Sequence, residues 1–169
     1  GGQLQHYRNN KYDPKVQEPE DNEPALGPIV ARIADNMLEF DESPKEALII
    51  DHNGDPILAG DHKRRFFEAS WMHKYNGKYY FSYSTGDTHF ICYGIGDNPY
   101  GPFTYGGRIL EPVVGWTSHH SICQVEDKFY LFYHDSSLSK GVTHLRSVKM
   151  IEIEHMADGH IKTLSPYKA

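Results

Sequence analysis

The sequence predicts an all-β protein built from propeller blades. A phrase made of a polar turn, a lysine and alternating aromatic residues occurs twice, at residues 76–84 and again at 126–134. Each copy follows a second short apolar run, so each repeat contains a hairpin. No segment shows the periodicity of a long helix. Repeated hairpins of this kind are typical of propeller blades rather than of one compact sandwich.

The composition favours strands and argues against two classes of partner. Aromatic residues make up 13% of the chain, which suits β-sheets and sugar-facing surfaces alike. The formal net charge is −6, and the densest basic run, residues 63–65, is too short to bind a polyanion, so we expect no nucleic-acid partner. No apolar stretch approaches the roughly 18 residues of a membrane span, so we expect no membrane partner. Cys92 and Cys123 fit two buried, reduced thiols.

Short elements are predicted before the first repeat. Residues 13–28 are rich in Pro, Glu, Asp and Asn and lack periodicity, which predicts a loop. Two apolar pieces within residues 29–40 predict strand, turn and strand. A further strand is predicted at 47–50, followed by a turn at 51–55.

The first repeat predicts a complete four-stranded blade. Strands at 66–74 and 79–84 flank a turn that contains Asn76-Gly77. Asn-Gly between alternating hydrophobic residues is the strongest local hairpin pattern in this chain. The third strand is predicted at 89–94 and the outer strand at 103–110.

The second repeat predicts a further blade, with strands that start near His119, Lys128 and Thr143 and an edge at 162–164. The chain thus supplies about two full blades and part of a third. A closed propeller needs at least about four blades. We therefore expect unpaired strand edges or an exposed blade face.

Glu68 opens the first repeat and is the first candidate for chemistry. It lies close in sequence to Phe66, Phe67 and Trp71. An apolar setting favours the protonated carboxyl that a general acid needs. The alternative, from the residues alone, is a surface glutamate paired with a neighbouring arginine.

The pair His119-His120 opens the second repeat. Adjacent residues of a strand point to opposite faces, so only one of them can enter a shared site. The alternative is a pair of hydrogen-bonded histidines at a strand end. His134 and His144 are further histidines, but no spacing joins them to this pair as a zinc site.

Three more residues are candidates for sugar binding. Arg146 is predicted in a strand with an apolar setting, where it either meets an anionic or hydroxyl-rich partner or reaches solvent. Trp71 and Trp116 either stack on sugar rings or belong to the core.

Four segments resemble a known family. Residues 66–80, 98–103, 118–122 and 141–148 resemble, in order, motifs of glycoside hydrolase family 43. Members of that family are five-bladed β-propellers that trim arabinose and xylose from plant polysaccharides. The resemblance implies that this chain supplies roughly the last two to three blades of such a propeller.

The resemblance also implies blade boundaries. It places the end of blade three at about residues 1–60, blade four at about 61–112 and blade five at about 113–169. All three belong to one domain, the C-terminal part of a propeller.

By the same resemblance, three residues take on roles. Glu68 matches the general acid that opens blade four. His119 matches a central-channel histidine of blade five that holds a calcium ion or its water shell. His119 is preferred to His120 because the family's ligand directly follows a small residue, as His119 follows Ser118. Arg146 matches an arginine of the sugar pocket.

The chain departs from the family in its aspartates. By the resemblance, the family's general base in blade one and a second aspartate in blade three that tunes the acid both lie before the point that matches Gly1, and Asp13, Asp21 and Asp35 stand in other contexts. The chain therefore looks like the C-terminal half of an inverting enzyme, whose acid and base stand roughly 6.5–9.5 Å apart. We expect the chain alone to be inactive and to associate with a complementary N-terminal half or a second copy.

The predicted activity is hydrolysis of arabinose- or xylose-containing oligosaccharides or polysaccharides, with Glu68 as the general acid. Two interpretations of other classes stay open. One is a propeller portion that binds pentose sugars without cleaving them. The other is a structural half that pairs with another chain to restore a site.

Overall fold

All the regular structure is strand. The computed structural model describes residues 5–8, 11–115 and 119–167, with the backbone alone for 5–8, 16 and 17. Within these residues there is no helix, hence none long and apolar enough to cross a membrane. In chain order the strands are β1 (Gln5–Arg8), β2 (Lys11–Gln17), β3 (Ile29–Val30), β4 (Lys45–Glu46), β5 (Ile49–Ile50), β6 (Glu68–Tyr75), β7 (Lys78–Ser84), β8 (Ile91–Gly96), β9 (Phe103–Leu110), β10 (Ser121–Val125), β11 (Lys128–Asp135) and β12 (Ser147–Ile153).

The largest sheet confirms the first predicted blade. Strands β6 to β9 form an antiparallel meander, and β5 joins it in parallel alongside β9. Asn76 and Gly77 turn the chain between β6 and β7 with φ values of 46° and 79°. Two successive positive φ angles are what a tight hairpin turn requires, and Asn-Gly adopts them at low cost. Strand β9 has the predicted bounds.

The second sheet has the order β10-β11-β12 and is also antiparallel. Its third strand begins at Ser147, later than the predicted start near Thr143. The chain between β11 and β12 instead makes turns, in which Ser139 Oγ donates to the carbonyl of Leu145 at 2.9 Å. The predicted edge at 162–164 was placed in the wrong sheet, because Leu164 pairs in parallel with Leu110 at the end of β9.

The N-terminal segment differs from the prediction in two places. The predicted loop at 13–28 is wrong at its start, because β2 runs to Gln17 and pairs with β1. The strands predicted in 29–40 are reduced to β3, which pairs with β4, and one bridge between Ile33 and Phe40. These short pieces lack the alternating pattern that pins longer strands.

The two sheets share one hydrophobic core. Buried residues of the first sheet, among them Tyr80 and Tyr93, pack with Leu131 and other buried residues of the second. The hydroxyl group of each tyrosine forms one hydrogen bond. Tyr80 Oη donates to Gly159 O at 2.7 Å, and Tyr93 Oη accepts from Ile161 N at 2.8 Å. A buried tyrosine hydroxyl needs such a partner. The blades are therefore held by apolar packing with paired polar ends.

One face of the second sheet is uncovered, and we call it the open face. Phe132 pairs with Met150 and His134 with Val148, so their side chains point to the same side. Val148 is 78% exposed and Met150 59% exposed. Cys123 lies on this side and is exposed, so the prediction of two buried thiols holds for Cys92 and is wrong for Cys123.

A pair of histidines crosses the interface between the sheets. His73 Nε2 on β6 lies 2.9 Å from Nε2 of His155, which follows β12. Tyr75 stacks on His155 with ring centroids 4.0 Å apart, and Phe129 lies against both imidazoles. Burial lowers the pKa of His73 to about 3, and electrostatic interactions with His155 and His120 contribute to this shift. Burial also lowers the pKa of His155 to about 4. The pair is therefore neutral near pH 7, with one N–H between the two nitrogens.

This pair makes stability depend on pH. The unfolded chain protonates both imidazoles as the pH falls through about 6.5, whereas the folded chain resists until about 4 and 3. The stabilisation is complete above pH 6.5 and is lost on acidification. Between pH 6.5 and 5, the free energy of unfolding should fall by up to about 1.4 kcal/mol per pH unit for each extra proton bound by the unfolded state.

Urea unfolding at several pH values checks this. The double variant His73→Phe/His155→Phe should flatten the pH dependence, whereas His144→Gln, at an exposed position, should leave it as it is. An unchanged slope in the double variant would contradict the account.

Candidate functional site at the junction of the two sheets

Glu68 is set in place by a β-bulge. It pairs with Ser84, whereas Trp71 pairs with Ser82, so β6 has one more residue than β7 over this stretch. Ala69, inside the bulge, has a φ of 62°. An extra residue bends the strand and re-aims the neighbouring side chain. The irregularity therefore decides where the Glu68 carboxylate points.

Glu68 meets His119 at the junction of the two sheets. Glu68 Oε1 lies 3.9 Å from His119 Nε2, and the two side chains are 37% and 65% exposed. The predicted apolar enclosure of Glu68 is wrong in this structure, because Phe66 packs instead against Phe81 and Tyr83. The structure thus brings two of the predicted site residues together at a partly exposed position.

The two adjacent histidines have different partners. His120 Nε2 shares a hydrogen bond of 2.7 Å with Ser82 Oγ, inside the interface between the sheets. His119 points towards Glu68. This divergence follows from the alternation of side chains along an extended chain.

A small cavity beside this pair is lined by His119, His89 and His134, together with Glu111, Tyr133 and three aliphatic residues. Burial lowers the pKa of His134, and electrostatic interactions with Arg146 and His119 lower it further. His134 is thus neutral near pH 7 and can accept as well as donate a hydrogen bond. Sequence reasoning did not place His89 here, because no motif distinguishes it from an ordinary residue at the start of a strand.

Arg146 is not in a strand, which corrects the prediction. It lies in the turn before β12, is exposed, and its Nε donates to Thr143 O at 2.9 Å. Its charge nevertheless acts on His134. Arg146 therefore stands at the edge of the same histidine cluster, with its guanidinium accessible to solvent.

Of the two tryptophans predicted to bind sugar, the structure describes Trp71 alone. Trp71 is 38% exposed, and its indole N–H donates to Ile122 O at 2.9 Å. That bond crosses from the first sheet to the second. Trp116 lies outside the described residues.

The residues at this junction do not form a calcium site by themselves. Calcium takes six to eight oxygen ligands, and His119 and Glu68 together offer one nitrogen and one carboxylate. Across residues 11–115 and 119–167, no group of three or more His, Cys, Asp or Glu is arranged to hold a metal ion.

No protein-family model matches the chain, but individual relatives do. A xylosidase/arabinosidase from Bacteroides ovatus is 60% identical over 164 residues, covering 97% of this chain and 50% of that protein. A beta-xylosidase from Xylanibacter ruminicola is 58% identical, covering 97% and 51%. The crystal structure of a GH43_1 enzyme from Xanthomonas citri matches with a TM-score of 0.94 and 58% identity, covering 98% and 50%. The chain belongs to glycoside hydrolase family 43.

The family 43 chain spans about half the length of the relatives it matches. Its fold is part of a five-bladed propeller, as predicted. A further solved structure is the calcium-free form of a family 43 beta-xylosidase/alpha-arabinofuranosidase from a compost metagenome, in complex with xylotriose. It matches with a TM-score of 0.91 and 59% identity, covering 99% of this chain and 52% of that one. The blade boundaries stay predictions.

The bulge beside Glu68 yields a prediction about residue 69. A β-branched side chain is disfavoured at positive φ, so Ala69→Val should lower the free energy of unfolding by about 1–3 kcal/mol. Ala69→Gly should keep the stability within about 1 kcal/mol of the wild type, because glycine adopts this conformation readily. Urea unfolding measures both. Equal stability of the valine and glycine variants would mean that the bulge is not as described.

Proposed function

We propose that this chain is the acid-bearing part of an inverting glycosidase that releases xylose or arabinofuranose from plant oligosaccharides or polysaccharides. The observation that carries the proposal is the placement of Glu68 against His119 at the junction of two blades, at 3.9 Å and partly exposed. The similarity to a xylosidase/arabinosidase over 97% of the chain supports the same conclusion.

In the proposed reaction, protonated Glu68 donates its proton to the glycosidic oxygen as the bond to the sugar carbon breaks. A pentose leaving group is a poor one without that proton, because an alkoxide would otherwise form. Water attacks from the opposite face of the ring, activated by an aspartate on a part of the enzyme outside this chain. Such an acid and base stand roughly 6.5–9.5 Å apart to leave room for the water.

Arg146 and Trp71 are proposed to contact the sugar. Arg146 combines an exposed guanidinium with a position beside His134, which suits hydrogen bonding to sugar hydroxyls. Trp71 keeps part of its ring exposed while its N–H is bound elsewhere, so it can offer only a stacking face. Trp116 is proposed for the same role from its residue type alone.

Calcium is proposed as a channel ion near His119. The solved relative described as a calcium-free form is the observation that favours a role for calcium in this family. His119 can contribute one contact or orient a bound water. The remaining ligands would be water or groups beyond the described residues, since those described are too few.

The proposed partner is a complementary set of blades. The open face presents Val148 and Met150 to solvent on one side of the last sheet, whereas the opposite side of the same sheet is packed against the first. A sheet with two apolar sides is stable when both are covered. The occupant we favour is an N-terminal half of the same family, with a second copy of this chain as the alternative.

A binding-only function is the second candidate. It is favoured by one observation, that the partly exposed ring of Trp71 can offer a stacking face to a sugar without any group that activates water. Release of reducing sugar from xylo-oligosaccharides separates cleavage from binding.

Glu68→Gln tests the general acid in a complete enzyme that carries this sequence. Glutamine keeps the shape but has no proton to transfer, so kcat/KM for xylobiose should fall by about 10²–10⁴. An aryl xyloside with an acidic phenol should lose far less, since its leaving group needs no proton. Glu154→Gln, at an exposed position of the second sheet's far end, serves as the control and should match the wild type. Equal losses on both substrates would reject the acid role.

Light scattering tests the open face. The 169-residue chain, of 19.4 kDa, should be larger than a monomer in solution, because the exposed apolar side chains associate. Val148→Lys should shift it towards the monomer. Leu138→Lys is a matched control, because both side chains are 78% exposed and Leu138 lies in a loop. A wild-type chain that is monomeric at all concentrations would contradict the proposal.

A further inference from the structure

Two hydrogen bonds tie the start of the second sheet to the first. Ser82 Oγ on β7 bonds to His120 Nε2 at 2.7 Å, and Trp71 Nε1 on β6 donates to Ile122 O at 2.9 Å. Trp71 and Ser82 are cross-strand partners. The paired residues Trp71 and Ser82 of the first blade therefore bind residues 120 and 122, in the segment that opens the second blade.

The residues that form these two bonds lie next to the two residues of the candidate site. Glu68 is three residues before Trp71 on β6, and His119 directly precedes His120. His120 points into the interface, whereas the side chain of its neighbour His119 lies 3.9 Å from Glu68. A shift of one blade along the other would change that distance directly.

The Ser82 contact is costly to lose. Ser82 is fully buried, and a buried hydroxyl without a partner costs roughly 1–3 kcal/mol. Such a bond defines a unique docking position, whereas apolar contacts alone permit sliding. It is thus suited to setting a distance.

Further bonds between the blades lie away from this segment, among them the one between His73 and His155. Tyr80 bonds to Gly159 and Tyr93 to Ile161, both in the segment that follows β12. They join the same two sheets without touching residues 119–122. Tyr80→Phe therefore removes an equivalent bond away from the site.

We infer that Ser82, His120 and Trp71 form a clamp between the blades that positions His119 opposite Glu68. The inference rests on the proposed function of Glu68 as general acid. Ser82 and His120 are positioning residues, since they act through His119 and Glu68 rather than on the sugar. A carboxyl that must meet a glycosidic oxygen tolerates little misplacement.

The first measurement is independent of activity. In the 169-residue chain, nuclear Overhauser contacts between the His119 ring and the Glu68 side chain should be present in the wild type and in Tyr80→Phe. They should be lost in Ser82→Ala. His120→Gln, whose amide nitrogen can take the place of Nε2, should retain them, and His120→Leu should lose them.

The second measurement is kinetic, in a complete enzyme that carries this sequence. Ser82→Ala and His120→Leu should lower kcat for xylobiose about tenfold per folded molecule with KM little changed, and should spare an aryl xyloside with an acidic phenol. His120→Gln and Tyr80→Phe should retain the wild-type kcat, although Tyr80→Phe lowers stability.

The outcomes separate the claims. If Ser82→Ala and Tyr80→Phe change both measurements alike, the bonds are ordinary packing and the clamp is overturned. If Ser82→Ala does not fold, the comparison of His120→Gln with His120→Leu decides in its place. If the Overhauser contacts respond as expected but Glu68→Gln cleaves xylobiose normally, the clamp stands and the general-acid proposal fails.

Discussion

The packing of one blade on the next is the interaction on which the rest of this structure depends. Buried side chains of both sheets form one shared core, so each sheet covers an apolar side of the other. The shared core supplies the driving force. The polar groups that cross it, Tyr80, Tyr93 and the His73–His155 pair, each find a partner on the opposite blade. Apolar burial holds the sheets together, and the paired polar groups choose their alignment.

The candidate site is a consequence of that alignment. Glu68 belongs to one blade and His119 to the other, so neither sheet alone has the pair. A bulge turns Glu68 towards the junction, and the bond from Ser82 to His120 turns His119 towards Glu68. This division explains how Glu68, the proposed acid, can be held in a fixed position while its side chain stays partly exposed. Rigid strands supply the positions, and the gap between the blades supplies the access.

Local pattern predicted the strands well and their partners poorly. Alternation and the Asn76-Gly77 turn were sufficient for the first blade, because a hairpin is encoded within a few residues. The His73–His155 contact joins residues 82 positions apart, and nothing in either segment marks it. Arg146 was misplaced because the turns before β12 are held by the Ser139 hydroxyl, which bonds to the carbonyl of Leu145, a side-chain contact that strand propensity does not include. The proposed roles of Glu68 and His119 rest on family resemblance, whereas their proximity is seen only in the structure.

The central claim is that the junction of these two blades presents the acid of a glycosidase. It is tested most directly by a crystal structure of a complete enzyme that carries this sequence, in its Glu68→Gln form with xylotriose bound. The account predicts the side chain at position 68 within hydrogen-bond distance of a glycosidic oxygen, with an aspartate across the scissile bond at roughly 6.5–9.5 Å. A different carboxylic acid beside that oxygen, with position 68 turned away from the sugar, would contradict it.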